Sequence, residues 1–332
     1  MNYNSLGDLS RSFAMQSRNA TIKQDIERLT LELSTGQTAN MREVVGKNAS
    51  YTSDLERSLT KLDGYDQATR ETGQFAEGMQ NTLSYINELS TNFRDTMLNS
   101  STSSLGTAYT VSEAHNTLES VIGALNTSLG GRSLFSGMAT DTAPLASAQS
   151  ILSDLSTVMA GAGNVDDMIN AAQAWFDDPA GFGTTGYLGS DTALAPMPLS
   201  ETENVELPLR GDDPAFRDTL RDLALAALAD DPALGLTAPQ QDELLDRVTT
   251  NVVSTSGAIV DLQATVGSAQ ARIETLSVRN GAERTALEIA RNNLLSVDTY
   301  QSATELEQVQ FQLESLYAIT SRMSQLSLVN YL

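Results

Sequence analysis

The sequence predicts a mainly α protein: long N- and C-terminal helices paired into a coiled-coil bundle, with an inserted small α/β domain. Three observations lead there. All eight prolines lie between Pro144 and Pro239, and proline breaks helix interiors by removing a donor and clashing with the previous turn. Both ends of the chain are therefore free to be helical nearly throughout. Apolar residues recur at helical spacing along both ends. Charge also divides the chain, because residues 141–239 hold 3 basic and 16 acidic side chains of a total net charge of −22.

Residues 1–40 read as an N-terminal assembly helix. Leu6, Leu9 and Phe13 precede Ile22, Ile26, Leu29 and Leu33, which follow a 4-3-4 spacing, and Gly36 stops the helix. Residues 41–140 read as the N-terminal part of a bundle. Its stripe resumes at Tyr51, Leu55, Leu59 and Leu62 and continues through Met79, Leu83, Ile86 and Phe93 to a polar turn at Asn99–Ser104. A third helix places Val111, His115, Leu118, Ile122, Leu125 and Leu129 on one side and ends at Gly130-Gly131.

Residues 141–239 read as an acidic surface domain. Ala146 to Met159 and Val165 to Phe176 are helical in pattern, Gly181 to Gly189 is a glycine-rich turn, and Val205 to Leu209 alternates like an edge strand. Asp213 and Pro214 open a further helix as N-cap and first residue. The pattern implies a separable insert whose ends lie close together.

The C-terminal part holds the clearest repeat. Within residues 240–299, Val252, Ile259, Val266, Ile273, Asn280, Leu287 and Leu294 recur every seven residues. Three places on come Thr255, Leu262, Ala269, Leu276, Glu283, Ala290 and Val297, completing the a/d seam of a coiled coil. One helix from 241 to 297 would be roughly 85 Å long. Asn280 is a polar seam residue of the kind that fixes register. After Asp298 the phase shifts, and Leu306, Val309, Leu313, Leu316, Ile319, Met323 and Leu326 form a second stripe within 300–332. This C-terminal assembly helix is expected to pair with the first. Narrow stripes on long helices leave other faces without partners, and helices gain most of their stability from packing. The ends are thus expected to order fully against neighbouring copies; an ordinary intramolecular bundle is the alternative.

Little here points to chemistry. The chain has no cysteine and one histidine, His115, so thiolate zinc sites and a cysteine nucleophile are excluded. No Gly-x-Ser-x-Gly elbow, phosphate loop or calcium loop occurs. The Asp pairs at 166–167, 177–178, 212–213 and 230–231 read as caps and turn formers. We expect no enzyme activity, cofactor or metal. So acidic a chain is a poor partner for nucleic acid. No membrane contact is expected either, for no apolar stretch reaches the length of a span and the start lacks the pattern of a secretory signal.

Leu31-Glu32-Leu33-Ser34-Thr35-Gly36 resembles the step that closes the first helix in the flagellin superfamily of bacterial axial proteins. Gly131-Arg132-Ser133-Leu134-Phe135-Ser136-Gly137, followed by Asp141-Thr142-Ala143-Pro144, resembles that family's signature where the helical core enters the inserted domain. The ending Leu326-Ser327-Leu328-Val329-Asn330-Tyr331-Leu332 resembles members at the hook–filament junction more than filament subunits. The chain departs from the pattern at Gln37-Thr38-Ala39-Asn40-Met41-Arg42, where the family usually has Arg-Ile-Asn. The resemblance spans about the first 140 and last 90 residues.

It implies a structural subunit of the bacterial flagellum, joining hook to filament by self-assembly. The implied partners are neighbouring copies, an adjacent hook-associated junction protein, flagellin and an export chaperone covering the C-terminal region. The implied location is extracellular, reached unfolded through the flagellar type III apparatus. A filament subunit, a secreted coiled-coil adhesin or effector, and a soluble enzyme are the alternatives, in that order.

Overall fold

The computed structural model describes residues 3–40, 46, 49–100, 106–255 and 257–329, with side chains for all of these except 3–9, 11–12, 100 and 323–329. The fold is mainly helical, with two small antiparallel ladders. Two compact units are formed, Met1–Leu62 with Gly281–Leu332, and Asp63–Asn280.

In the first unit, α1 (Tyr3–Thr35) packs along α10 (Thr299–Val329). The first helix ends where the sequence says it should. Gly36 takes a left-handed φ of 69° and donates its N–H to Glu32 O at 2.8 Å, a C-terminal cap that glycine adopts without steric penalty. The chain then pairs with the linker before α10: Gln37 bridges Ser296, Thr38 donates to Leu295 O at 2.8 Å, and Val297 donates to Gly36 O at 3.0 Å. Asp298 caps α10, accepting from the N–H groups of Tyr300 (2.9 Å) and Gln301 (3.2 Å). The phase shift seen after Asp298 is therefore a helix break and restart.

In the second unit, the core is built from α2 (Ala49–Ser100), which enters it from Asp63 onward, α3 (Thr107–Leu125), the inserted elements, α8 (Ala238–Thr255) and α9 (Ala258–Leu295) up to Asn280. Met79, Leu83, Ile86 and Phe93 of α2 are buried, as are Val111, Leu118, Ile122 and Leu125 of α3. The inserted region supplies α4 (Ala148–Met159), α5 (Val165–Asp177), the single turn α6 (Phe182–Thr185), the ladder β3–β4 (Met197–Pro198 with Asn204–Val205) and α7 (Pro214–Ala227). Asp213 caps α7 with Pro214 in its first turn. Trp175, Phe176 and Phe182 form a buried cluster with centroids 4.9–5.8 Å apart, Trp175 edge-on to both phenylalanines, a favourable aromatic geometry.

The structure corrects several expectations. The long C-terminal helix is two: α8 ends at Thr255 and α9 starts at Ala258. Ser254 and Thr255 turn their hydroxyls back to Asn251 O at 2.7 and 3.1 Å, and Gly257 follows; back-bonding hydroxyls and glycine both weaken a helix. The third helix stops at Leu125, and Leu129 is exposed in a tight hairpin, β1–β2 (Ser128–Leu129 with Arg132–Ser133). His115 is exposed, not on the buried side. Tyr51 is exposed too. Helix α2 runs on to Ser100, while residues 101–105 of the expected turn lie outside the described residues.

The strand expected over Val205 to Leu209 pairs only as far as Val205. Its alternation was sound, since Val205, Leu207 and Leu209 are buried and Glu206 and Pro208 are exposed. Pro208 lacks the N–H a ladder needs. Nor is the insert a separate body. Helix α7 packs against α3, α5 and α8 and is buried all round from Leu220, where after the Arg221–Asp222 pair it is apolar on every face. Its core and the bundle core are one cluster.

Candidate assembly site

The terminal helices show which apolar residues are used within the chain and which are not. Ile22 and Leu29 of α1 and Leu316 of α10 are buried. Ile26, Leu306, Val309 and Leu313 are half-buried. Phe13 is 74% exposed, and Leu33 and Ile319 are exposed as well. Leu6, Leu9, Met323 and Leu326 lie outside the described side chains, and Asn330, Tyr331 and Leu332 outside the described residues. Several aromatics that no stripe predicted are also solvent-facing: Tyr300, Tyr317 and Phe311, the last 70% exposed.

Where the stripe predicts Leu33, the structure buries Glu32. Its carboxylate accepts from Arg28 Nη1 at 3.2 Å and from the Ala39 N–H at 3.0 Å. The spacing from Ile22 through Leu29 reaches residue 32 as readily as 33, and Arg28 four residues earlier was the signal that it had a partner. Leu31 and Leu33 consequently face outward.

In the seam of the second unit, Val252, Ile259, Val266, Ile273 and Leu276 are buried and Leu262 is half-buried against the core. Gln263 Nε2 donates to Ser84 Oγ at 3.1 Å across from α9 to α2. Leu287 and Leu294, which fall in the first unit, are half-buried. Asn280 has a definite task, donating from Nδ2 to the carbonyl of buried Leu199 at 2.8 Å. Nearby, Glu203 accepts from Arg279 at 2.6 Å and Arg272 at 2.9 Å. The Arg279 hydrogen bond, then the charges of both arginines, hold this carboxyl below its usual range. The β3–β4 turn is thus fastened to α9 at two points, which the seam pattern could not show.

The signature at 131–137 forms the joint between bundle and insert. Phe135 is fully buried, edge-on to Phe216 at 5.6 Å. Its carbonyl accepts from Gly211 N–H at 2.7 Å, and the Ser136 carbonyl accepts from Ser190 N–H at 2.9 Å. Gly137 has a φ of 60°, and a side chain there would overlap the Thr192 and Ser190 carbonyl oxygens. Arg210 closes the joint, donating to Asp191 O and, at 2.8 Å to each oxygen, to the Asp212 carboxylate. Burial, then the Asp212 charge, push the Tyr187 hydroxyl up to about 12.

Among the described residues no group of three or more His, Cys, Asp or Glu is placed to hold a metal. The Asp pairs hold caps, turns and ion pairs, Asp166 pairing with Arg247 at 3.1 Å. Asp167 donates its backbone N–H to the Asn164 side-chain oxygen, Asp177 pairs with Arg217 at 3.1 Å, and Asp178 accepts from Ala180 N–H. Asp212 binds Arg210, while Asp213 and Asp231 cap helices. No described helix is long and apolar enough to cross a membrane.

Residues 249–332 match the family model of the bacterial flagellin C-terminal helical region. The C-terminal helices are flagellin-like. The fold is shared with a candidate flagellar hook-associated protein from Vibrio parahaemolyticus, at 13% identity and a TM-score of 0.53, over 74% of this chain and 97% of that one. It is shared also with FlgL of Bacillus cereus, at 14% identity and a TM-score of 0.52, over 72% and 99% of the two chains. No curated protein matches the sequence. The matched helices α9 and α10 carry most of the seam and half of the terminal pair.

Proposed function

We propose that this chain is a non-catalytic structural subunit of the bacterial flagellum, hook-associated protein 3, seated at the junction of hook and filament. The observation that supports it is the flagellin-type C-terminal region on a fold shared with a hook-associated structure. Exposed Phe13, Leu33, Phe311 and Ile319 on the two terminal helices would supply apolar contacts to neighbouring copies. The adjacent hook-associated protein and flagellin would meet the same helices at the two ends of a ring, and an export chaperone would shield the C-terminal segment before assembly. Passage through the flagellar type III apparatus then places the protein outside the cell.

Deleting the gene tests this. The expected result is a basal body and hook without a filament, with flagellin released unpolymerised into the medium and few copies of this chain per wild-type flagellum. The flagellin family match favours a second reading, that the chain is itself the filament subunit. In that case it would form the bulk of sheared filaments, and purified protein would polymerise alone. Full-length filaments in the deletion strain would refute both.

A further inference from the structure

Ser90 of α2 turns a buried hydroxyl that has no hydrogen-bond partner among the described residues toward a cavity of about 30 Å³. Asn87 of α2, Thr219 and Asp222 of α7, Thr255 of α8 and Ile259 of α9 face the same space. Asp222 is buried and uses its oxygens unevenly. Oδ1 accepts both Arg221 Nε at 3.0 Å and Nη2 at 2.8 Å. Among the described residues Oδ2 has only the Thr255 hydroxyl at 3.5 Å, and that hydroxyl also lies 3.1 Å from Asn251 O. A buried carboxylate oxygen with so poor a donor, beside a hydroxyl with no partner, is costly to both groups.

We propose that this cavity is a binding site for a water molecule that donates to Asp222 Oδ2 and bridges it to Ser90 Oγ, tying α7 to α2 beside the α8–α9 break. The volume suits it, because a water needs about 10–15 Å³ of this kind of space and two or more polar partners. A metal cation is disfavoured by the Arg221 guanidinium, which already neutralises the carboxylate and is itself buried. An apolar ligand would leave the Ser90 hydroxyl unmet. Besides Arg221, the charged group near Asp222 is Asp218 on its own helix; the residues facing it from α2, α8 and α9 are uncharged. Asp222 is pushed up to about 6 by burial, against the pull of Arg221, so its demand for a donor is greatest at alkaline pH.

The full-length chain should be melted at pH 8 and pH 5 with Ser90→Val, alone and in an Asp222→Asn background. Valine displaces the water and fills its space. A bridging water predicts a loss of several degrees in Tm at pH 8, a smaller loss at pH 5, and little loss in the Asp222→Asn background. A dry cavity predicts a rise in Tm in every case, since filling a void stabilises, and that result would overturn the proposal. Equal losses under all three conditions would overturn it too, showing only misfit of valine. Should Ser90→Val fail to fold, Ser90→Ala supplies the test through the Asp222 carboxyl titration followed by NMR. The midpoint should rise when the bridge is weakened; an unchanged midpoint refutes it.

Discussion

Gly130 and Gly137 make a matched pair in the joint that carries the insert. Both are left-handed, with φ of 59° and 60°. A Cβ on Gly130 would meet nothing within 4 Å, whereas one on Gly137 would lie 2.8 Å from Ser190 O and nearer still to Thr192 O. Gly130→Ala therefore carries only the conformational penalty of an L residue in this region, about 1–2 kcal/mol. Gly137→Ala adds an overlap with two backbone carbonyls. Neither can swing aside freely, for the Thr192 carbonyl accepts from Met138 N–H at 3.0 Å and Ser190 N–H is bound to Ser136 O at 2.9 Å. Overpacking of this kind adds about 1–3 kcal/mol, for a total of about 2–5 kcal/mol. At about 2–4 °C per kcal/mol for a unit of this size, Gly130→Ala should lower Tm by about 2–8 °C and Gly137→Ala by distinctly more. Calorimetry on the two variants decides it, and the difference between them carries the information. Equal shifts would refute the claim that the signature glycine is there for close approach of two backbones.

Three further outcomes follow from the same contacts. Because Asp222 has its folded value raised to about 6 above an unfolded value of about 3.9, the folded state holds the proton longer. Its contribution is present below about pH 4 and lost as pH rises through 6. Denaturant titrations should show wild-type stability falling by about 3 kcal/mol more than Asp222→Asn over that window, and parallel curves would contradict it. Asn280→Ala leaves the carbonyl of buried Leu199 without its donor, which should cost about 1–3 kcal/mol in chemical denaturation; a neutral effect would mean the turn is held by Glu203 alone. Leu313→Asp with Leu316→Asp puts charge into a half-buried and a buried position. Hydrogen exchange should then rise across α1 and α10 with α9 up to Asn280 unchanged, and incorporation into flagella should fail. Normal incorporation would separate this stripe from assembly.

Periodicity found what depends on one face meeting one partner. The buried seam residues from Val252 to Leu276 lie on a single stripe, and helix stops such as Gly36 and caps such as Asp213 are local chemistry, visible in two or three letters. What escaped has a common cause. Glu32, Asp222 and the Glu203 carboxylate each take a charged partner; a paired charge can occupy a place where an apolar residue is expected, as at 32 and 222, or fasten a turn from far along the chain, as Glu203 does. Arg221 and Asp222 stand in a run otherwise apolar from Leu223 to Ala229, and two adjacent opposite charges at the head of such a run are the sign of a buried pair. The insert reads as separable because its prolines and acidic residues set it apart. Yet those prolines sit in turns, at helix starts and in extended segments, while its final helix is buried all round from Leu220 and closes the core between α3 and α8. Composition along the chain marks where the backbone changes grammar, whereas the limits of a cooperative unit are set by which side chains share a core. Joining residue 142 to 240 would remove α7 and expose the faces of α3 and α8 that it covers. Such a chain should melt broadly and bind hydrophobic dyes, where a separable insert would leave a sharp transition.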